Sequence, residues 1–537
     1  MKVIVIGGVA GGPSFATRLR RLDENIEILL VERGAHISYA SCALPYYLGD
    51  TITDLDSLIE RTPEILKNKN NIDVLVRHEV TAIDSATKQV TIKNLATQAT
   101  YQEKYDVLVL AIGARAILPP IKGSETVKNG FALRNVTDAA TIKSFIETKK
   151  PHQATIIGAG PAGLEIAENF RQLGMAVTVV DQLPTVAYPY DPELAEIMVA
   201  ELQRNGVRLL LNETVTEIQD AGQKIILANG TSLETDLLIF ATGVRPNSEL
   251  AAAAGIKLAE NHHIIVDEKL ATNIPDIYAI GDVIQTTSYI TGLPVPSMLS
   301  SAANRQGHLL ADIINGAPLT YRGFIGTGVA KIFDLTISLV GYTENALKAA
   351  GITNYKTVLI TPFDHAHFYP GAKRLNLKLI FEAETGKILG AQAVGERGAD
   401  KRIGEISAAI TGKLTVFDLP DLELPYSPPY SMTRDPVNTA GYVAINQLNN
   451  TIVTIKLADI PAADFATAFF LDVREADKPL AGTVEATKNI PLSVLRENLA
   501  EIPLDRKVYI TFRKGLNPYN AARILAGKGI TALLIEE

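Results

Sequence analysis

The chain opens on a short unbroken apolar run, Val3-Ile4-Val5-Ile6, that stops at Gly7 and Gly8. A continuous, largely β-branched run of this length predicts a strand buried on both faces. After Gly11 and Gly12 the spacing changes. Phe15, Leu19 and Leu22 fall at i, i+4 and i+7, which predicts a helix with one apolar face. Ile26 to Val31 is again continuous and apolar and predicts a second strand, ending in Glu32. The pattern returns about 150 residues later. Thr155-Ile156-Ile157 runs into Gly158-Ala159-Gly160-Pro161-Ala162-Gly163, then Ile166, Phe170 and Leu173 share a helical side, and Ala176 to Val180 predicts a strand ending in Asp181. Two more apolar runs stop at glycine, Val107 to Gly113 through Ala111 and Leu238 to Gly243.

Strand, glycine turn, helix and terminal acid in this order, twice, predict two βαβ units that each take a dinucleotide. Glycine permits the tight turn and lets the backbone approach a pyrophosphate at the positive end of the helix. The second turn carries the full GxGxxG pattern, and the first has Val9 at the middle position. Glu32 lies 20 residues after Gly12 and Asp181 lies 18 after Gly163, where an acid bonds a ribose hydroxyl. An acid followed by Gln182-Leu183-Pro184, with no arginine to meet a 2′-phosphate, favours NADH over NADPH in the second unit.

At 537 residues the chain is too long for a single core. A hydrophobic fraction of 47% and a net charge of −8 describe an ordinary globular protein without the basic field that nucleic acid requires. The run before Gly7 is too short for a signal-peptide core, and no apolar stretch is long enough to span a bilayer. A single cysteine, Cys42, excludes an intramolecular disulfide, so a reducing cytoplasm is the expected setting. A lone thiol is ordinarily a small buried hydrophobe. Cys42 follows the second strand of the first unit by about ten residues, which sets it beside the cofactor and favours a redox thiol. No metal site is expected.

Several segments resemble the flavoprotein disulfide reductase superfamily. The two strand-to-glycine runs are similar to its crossings between nucleotide domains, and Ile277-Tyr278-Ala279-Ile280-Gly281-Asp282 to its second flavin motif. Ser38-Tyr39-Ala40-Ser41-Cys42-Ala43-Leu44-Pro45-Tyr46-Tyr47 resembles the active-site segment of the coenzyme A-disulfide reductases, with Ser41 and Ala43 where that family has Asn and Gly. The likeness continues through Ala303-Asn304-Arg305-Gln306-Gly307, Lys331 to Thr336, Asp400 to Ile403 and Leu422 to Tyr430.

The resemblance implies an α/β protein. It has two Rossmann-like domains, FAD-binding at 1–115 and 245–322 and NAD(P)-binding at 116–244. An α+β dimerisation domain follows at 323–446, then a rhodanese-like α/β domain at 452–537. It implies FAD, a nicotinamide dinucleotide and coenzyme A as bound substrate or adduct, in a homodimer. The implied cofactor residues are Gly7, Gly12, Glu32, Arg33, Ala111, Gly113, Gly158, Gly160, Gly163, Glu165, Asp181, Gly243 and Asp282. Those implied for coenzyme A are Ser14, Arg18, Arg21, Ser38, Ser41, Asn304 and Arg434, with Cys42 as the catalytic thiol, Tyr426 of the second subunit placed to hydrogen-bond or protonate a leaving sulfur, and Tyr369 as a further catalytic tyrosine. From the residues alone, a solvated helix face is the better reading of Arg18 and Arg21, which only the resemblance reverses, and either tyrosine also suits a packed interface aromatic. Two other readings stay open: an NADH oxidase or peroxidase cycling Cys42 through sulfenic acid, and a non-catalytic, redox-responsive flavoprotein scaffold.

The polar stretch Asn446 to Thr451 is expected as a linker before the rhodanese-like tail. In the tail, strand Val508 to Thr511 runs into Phe512, where rhodanese chemistry needs a cysteine, and Asn517 replaces the closing arginine. The tail is therefore expected to carry no sulfane sulfur, with Arg513 and Lys514 left as a candidate anion site.

Overall fold

A computed structural model describes residues 1–475, 487–511 and 516–536. The chain divides into two compact units, residues 1–326 with 330–334, and residues 327–329 with 335–537.

In chain order the first unit forms β1 (Lys2–Ile6), α1 (Gly11–Leu22), β2 (Glu27–Glu32), α2 (Leu44–Leu48), β3 (Asp73–Val76), β4 (Val107–Leu110), α3 (Val136–Lys149) and β5 (Gln153–Ile157). It continues with α4 (Pro161–Gln172), β6 (Ala176–Asp181), β7 (Val207–Leu211), β8 (Leu237–Phe240), β9 (Ile277–Ala279) and α5 (Ser300–Ile314). Two parallel sheets result. The first has the order β9-β4-β1-β2-β3, and the second runs β7-β6-β5-β8 with the short strand Gly130–Phe131 beyond β8. Val3, Ile4, Val5 and Ile156 are wholly buried, which is why these strands read as continuous apolar runs rather than alternating ones. In each sheet the strand order reverses beside the strand that feeds the glycine turn. The carboxyl ends of β1 and β4, and of β5 and β8, therefore frame a crevice, the usual ligand position in such sheets. Helix α1 lies close against α5, where a β-carbon on Gly307 would come 2.5 Å from the Gly11 carbonyl.

The second unit begins with β10 (Leu335–Gly341), β11 (Tyr355–Ile360), β12 (Leu375–Glu382), β13 (Ile388–Gly395), α6 (Ala399–Thr411) and α7 (Pro436–Leu448). These strands run antiparallel in the order β10-β13-β12-β11, with α6 packed on β10 and β13 and α7 on β11 and β12. The tail adds β14 (Val453–Lys456), β15 (Phe469–Asp472), β16 (Thr487–Asn489), β17 (Val508–Ile510), α8 (Leu516–Ala526) and β18 (Ala532–Glu536). It forms a parallel sheet ordered β14-β18-β17-β15-β16 over its own core of Leu471, Val508, Ile510, Leu525 and Leu534.

The expected linker is shorter than its polar composition suggests. Asn446, Gln447 and Leu448 complete α7, because Ala440, Ala444 and Gln447 recur on its buried side and Asn449 closes the helix. The tail is also tied to the antiparallel sheet. Glu344 accepts from Lys378 at 2.5 Å and from Lys456 of β14 at 3.0 Å. Burial opposes its charge, but the two ammonium groups outweigh that and hold Glu344 down at about 2. Among the described residues no helix is long and apolar enough to cross a membrane.

Candidate functional site

A cavity of about 470 Å³ opens at the carboxyl ends of β1 and β4, lined by Gly7, Gly11, Glu32, Arg33, Gly113 and Asp282 and also by Tyr39 and Ser41. This lies within the range of about 300–1,000 Å³ typical of small-molecule sites. Its floor is the first glycine turn. Gly7 has φ +107°, and a β-carbon there would sit 2.1 Å from the Ala111 carbonyl oxygen. One on Gly12 would sit 2.0 Å from the Gly7 oxygen. The second turn repeats this geometry: Gly158, at φ +114°, faces Ala241 at 2.3 Å, and Gly163 faces the Gly158 oxygen at 2.2 Å. Gly160 meets nothing within 4 Å, so its missing side chain leaves room for a ligand rather than for protein. Gly113 and Gly243 hold positive φ at the ends of the two crossing runs. Neither α1 nor α4 has a side-chain N-cap, which leaves first-turn N–H groups for an anion.

Both terminal acids brace their own turns. Glu32 accepts from the Gly8 N–H at 2.8 Å and the Gly34 N–H at 2.7 Å. Asp181 accepts from the Ala159 N–H at 2.6 Å and the Leu183 N–H at 2.8 Å. Asp282 pairs with Arg134 at 2.7 Å, and Arg134 also donates to the Ala114 carbonyl at 3.2 Å. Phosphate donors at a glycine turn, an acid at the ribose position and Asp282 across the cavity fit an extended dinucleotide such as FAD. Arg134 carries no motif in the sequence, and only its pairing with Asp282 reveals it.

Cys42 is exposed, on a single 3₁₀ turn, Ser41–Ala43, that runs into α2. Ser38 holds φ +46° and donates its N–H to the Gly8 carbonyl at 2.7 Å, which pins the thiol segment to the first glycine turn. Three contacts fix α2. Lys143 of α3, itself buried, donates to the Leu48 carbonyl at 3.3 Å and pairs with Asp50 at 2.6 Å. Gly49 fits against Asn169 of α4, where a β-carbon would come 2.2 Å from its side-chain oxygen. The Tyr46 phenol meets the Glu165 carboxyl at 3.4 Å. Burial pushes Glu165 up to about 7. Burial, followed by the nearby charge of Glu165, pushes the Tyr46 phenol well above its usual range. Tyr39 is raised to about 12, chiefly by burial and then by Glu32. Lys143 lay unmarked in a polar helix sequence. Tyr46 stood in the active-site segment with no role assigned.

Of the residues expected for coenzyme A, Ser14 on α1 donates to the Asn304 carbonyl on α5 at 2.9 Å, and Arg18 on α1 pairs with Asp312 on α5 at 2.6 Å. Arg21 is exposed. Arg434 belongs to the second unit, where its guanidinium lies 5.1 Å from the centre of the Tyr442 ring. Tyr369 and Tyr426, also of the second unit, are each 43% exposed, on loops joined by a hydrogen bond from the Ala366 N–H to the Pro428 carbonyl at 3.3 Å. Buried Arg402 underpins both loops, donating to the Asp364 carbonyl at 2.9 Å, Ser431 at 3.1 Å and Asp435 at 3.0 Å. In the tail, Phe512 to Gly515, with Arg513 and Lys514, lies outside the described residues.

Residues 1–307 match the family described as pyridine nucleotide-disulphide oxidoreductase, and residues 328–436 match its dimerisation domain. The chain is 34% identical over 444 residues to a coenzyme A disulfide reductase of Staphylococcus epidermidis, spanning 82% of this chain and 99% of that protein. Among solved structures it is similar to reduced Bacillus anthracis CoADR-RHD, at 44% identity and TM-score 0.98, over 99% of this chain and 96% of that one. It is also similar to an NAD-dependent persulfide reductase from A. fulgidus, at 36% identity and TM-score 0.92, over 100% and 99% of the two chains.

Proposed function

The chain belongs to the pyridine nucleotide-disulphide oxidoreductase family and is an FAD-dependent oxidoreductase, and from that premise we propose that it reduces a disulfide or persulfide of coenzyme A through the single thiol of Cys42. The observation that carries this reading is the position of Cys42, exposed and next to Ser41, which lines the cavity that fits a flavin dinucleotide. The named activities of the relatives, coenzyme A disulfide reduction and NAD-dependent persulfide reduction, support the substrate class.

Bound in its cavity, the flavin supplies a two-electron relay between a nicotinamide and sulfur. The chain's own residues bind and orient. First-turn N–H groups of α1, with Gly7 and Gly12, would hold the flavin's phosphates, Glu32 and Arg33 its adenosine end and Asp282 its ribityl chain, with Ala111 and Gly113 lining the same cavity. Gly158, Gly160, Gly163, Glu165 and Gly243 serve the nicotinamide dinucleotide, and Asp181 disfavours a 2′-phosphate, which makes NADH the preferred donor. Ser14, Arg18, Arg21, Ser38, Ser41, Asn304 and Arg434 line the path of coenzyme A, with Arg18 exchanging Asp312 for a phosphate. The Cys42 thiolate attacks one sulfur of the disulfide, forms a mixed disulfide and expels the second thiol.

The working form is a homodimer in the cytoplasm. The match of residues 328–436 to a dimerisation domain supports the dimer, as do Phe368, Tyr369, Tyr426 and Tyr430, large aromatics left exposed on two adjoining loops. In the dimer Tyr369 and Tyr426 of one copy serve the thiol of the other. The domain division stays at 1–115 with 245–322, 116–244, 323–446 and 452–537. The parallel sheet of the tail supports a rhodanese-like fold. The chain has no cysteine outside Cys42, so the tail acts as a structural or binding module rather than a sulfur carrier.

The test is Cys42→Ser. It is expected to retain flavin and lose turnover of coenzyme A disulfide and persulfide under anaerobic conditions, and normal turnover would refute the role. The intact mass of the purified protein is expected to show a coenzyme A adduct that dithiothreitol removes. A sulfenate at Cys42, with NADH consumption only in the presence of oxygen, would instead favour the oxidase reading.

A further inference from the structure

Arg402 of α6 is the largest wholly buried side chain among the described residues. Stability alone does not call for a guanidinium there, because a buried ion pair gains little or nothing over packed apolar side chains of the same volume. What it supplies is a rigid planar fork whose N–H groups point in fixed directions. The fork grips the Asp435 carboxylate, Nε at 3.3 Å from one oxygen and Nη2 at 3.0 Å from the other. Nη2 also donates to the Ser431 hydroxyl at 3.1 Å and to the Asp364 carbonyl at 2.9 Å. Space is kept for it: a β-carbon on Gly398 would come 2.2 Å from Nη1.

The groups it grips close the two loops that carry Tyr369 and Tyr426. The Asp364 N–H donates to the Lys373 carbonyl at 2.9 Å, and the Lys373 N–H donates back to the Asp364 carboxylate at 2.9 Å, so Asp364 is the base of the Tyr369 loop. Inside that loop His365 is buried, with Nδ1 2.9 Å from the Asp364 carboxylate and its ring edge-on to Tyr369 at 5.8 Å between centres. Beyond Tyr426, the Ser431 N–H donates to the Ser427 carbonyl at 3.2 Å and closes a turn, and the Ser431 hydroxyl donates to Asp435 at 2.5 Å. Asp435 in turn starts α7, where it accepts the Val437 N–H at 3.0 Å.

We infer that Arg402 is the positioning residue that fixes Tyr369 and Tyr426 relative to one another, and that it acts on the thiol site of the opposite subunit rather than on that of its own chain. This rests on the reading that the tyrosines of one copy serve the thiol of the other. Directly, the loops share one long bond, from the Ala366 N–H to the Pro428 carbonyl at 3.3 Å. The guanidinium joins them again at their bases, and its bonds to the Asp435 carboxylate are charge-assisted. A lysine ammonium is a point charge without the fork, so it can pair with Asp435 but cannot hold Asp435, Ser431 and Asp364 in their present directions together. The two phenols then shift against each other, and a displacement of about 1 Å costs a catalytic group about a hundredfold in rate.

Hybrid dimers of full-length, flavin-loaded chains, isolated through two different affinity tags, test this. One chain carries Cys42→Ser, so each dimer keeps a single working thiol, served by the tyrosines of the Cys42→Ser chain. Arg402→Lys on the Cys42→Ser chain is expected to lower anaerobic turnover of coenzyme A disulfide with NADH by about a hundredfold. The same substitution on the chain with the intact thiol, whose tyrosines face the dead site, is expected to cost less than about twofold. General destabilisation or flavin loss would lower both arrangements alike and cannot produce that asymmetry. If Arg402→Lys yields no flavin-loaded dimer, Ser431→Ala keeps both charges, removes one anchor and carries the test, with about a tenfold loss in the same arrangement. Equal losses in the two arrangements, no loss in either, or a loss confined to the chain that bears the thiol would overturn the role of Arg402. Tyr426→Phe in the same hybrids separates the two layers. If it shows the asymmetry and the Arg402 or Ser431 variant does not, only the positioning role falls; if its loss follows the chain that bears the thiol, the shared-site reading falls with it.

Discussion

Gly158 and Gly160 stand two residues apart in one turn and answer different needs. The first is crowded by the Ala241 carbonyl, one residue past β8 and far along the chain, and the second faces open space. The GxGxxG pattern was legible as a pattern, but which glycine relieves a clash and which leaves room for a ligand was not. Titration shows the same divide. Glu405 on α6 has a buried oxygen without a partner among the described residues. Burial, then the charge of Asp435, raises it to about 7 against the opposing charges of Lys401 and Arg402. The folded protein therefore binds this proton more tightly than the unfolded chain does. The contribution is full below the ordinary value of 4.5 and is lost as pH rises through about 7. Glu405→Gln is expected to flatten stability across that window and, after allowance for solvent screening, to stabilise the protein by about 1 kcal/mol at about pH 8. Urea denaturation of both proteins on either side of the window checks this.

At the scale of elements, α2 is the telling case. Five residues are too few for a helix to persist unaided, so its order comes from what grips it. Lys143 reaches the Leu48 carbonyl across 95 residues of sequence, and Glu165 reaches Tyr46 across 119. Lys143→Met removes the donor and leaves the Leu48 carbonyl unpaired, at a cost of about 1–3 kcal/mol. The loss is expected to be local. Amide exchange should quicken through 44–50 and stay slow in β1, and a uniform rise across the unit would contradict the clamp. Helices α1 and α4 were legible because their apolar spacing is their own. The grip on α2 was not, since it comes from side chains on other helices. Helix α7 ran past its expected end for the same reason: Asn446 and Gln447 look like loop residues until the sheet beneath supplies a surface to bury against.

For the whole molecule, the flavin cavity lies wholly within residues of the first unit, while the tail is held by Lys456 on Glu344 in the second. A chain ending at Asn450 is thus expected to keep its flavin and its oligomeric state, checked by flavin content per chain and by light scattering. Flavin loss on removal of the tail would contradict this expectation. The order of residues by itself determined two βαβ units with acids at the second strands, and a chain that holds a single cysteine. Runs of apolar residues, glycine spacing and the count of cysteines are properties of neighbours along the chain. Only the tertiary structure decided that Arg134 meets Asp282, that Lys143 and Glu165 hold α2, and that partial burial pushes the carboxyls of Glu165 and Glu405 upward. Those depend on which distant groups exclude water from one another, and desolvation is set by enclosure rather than by sequence order.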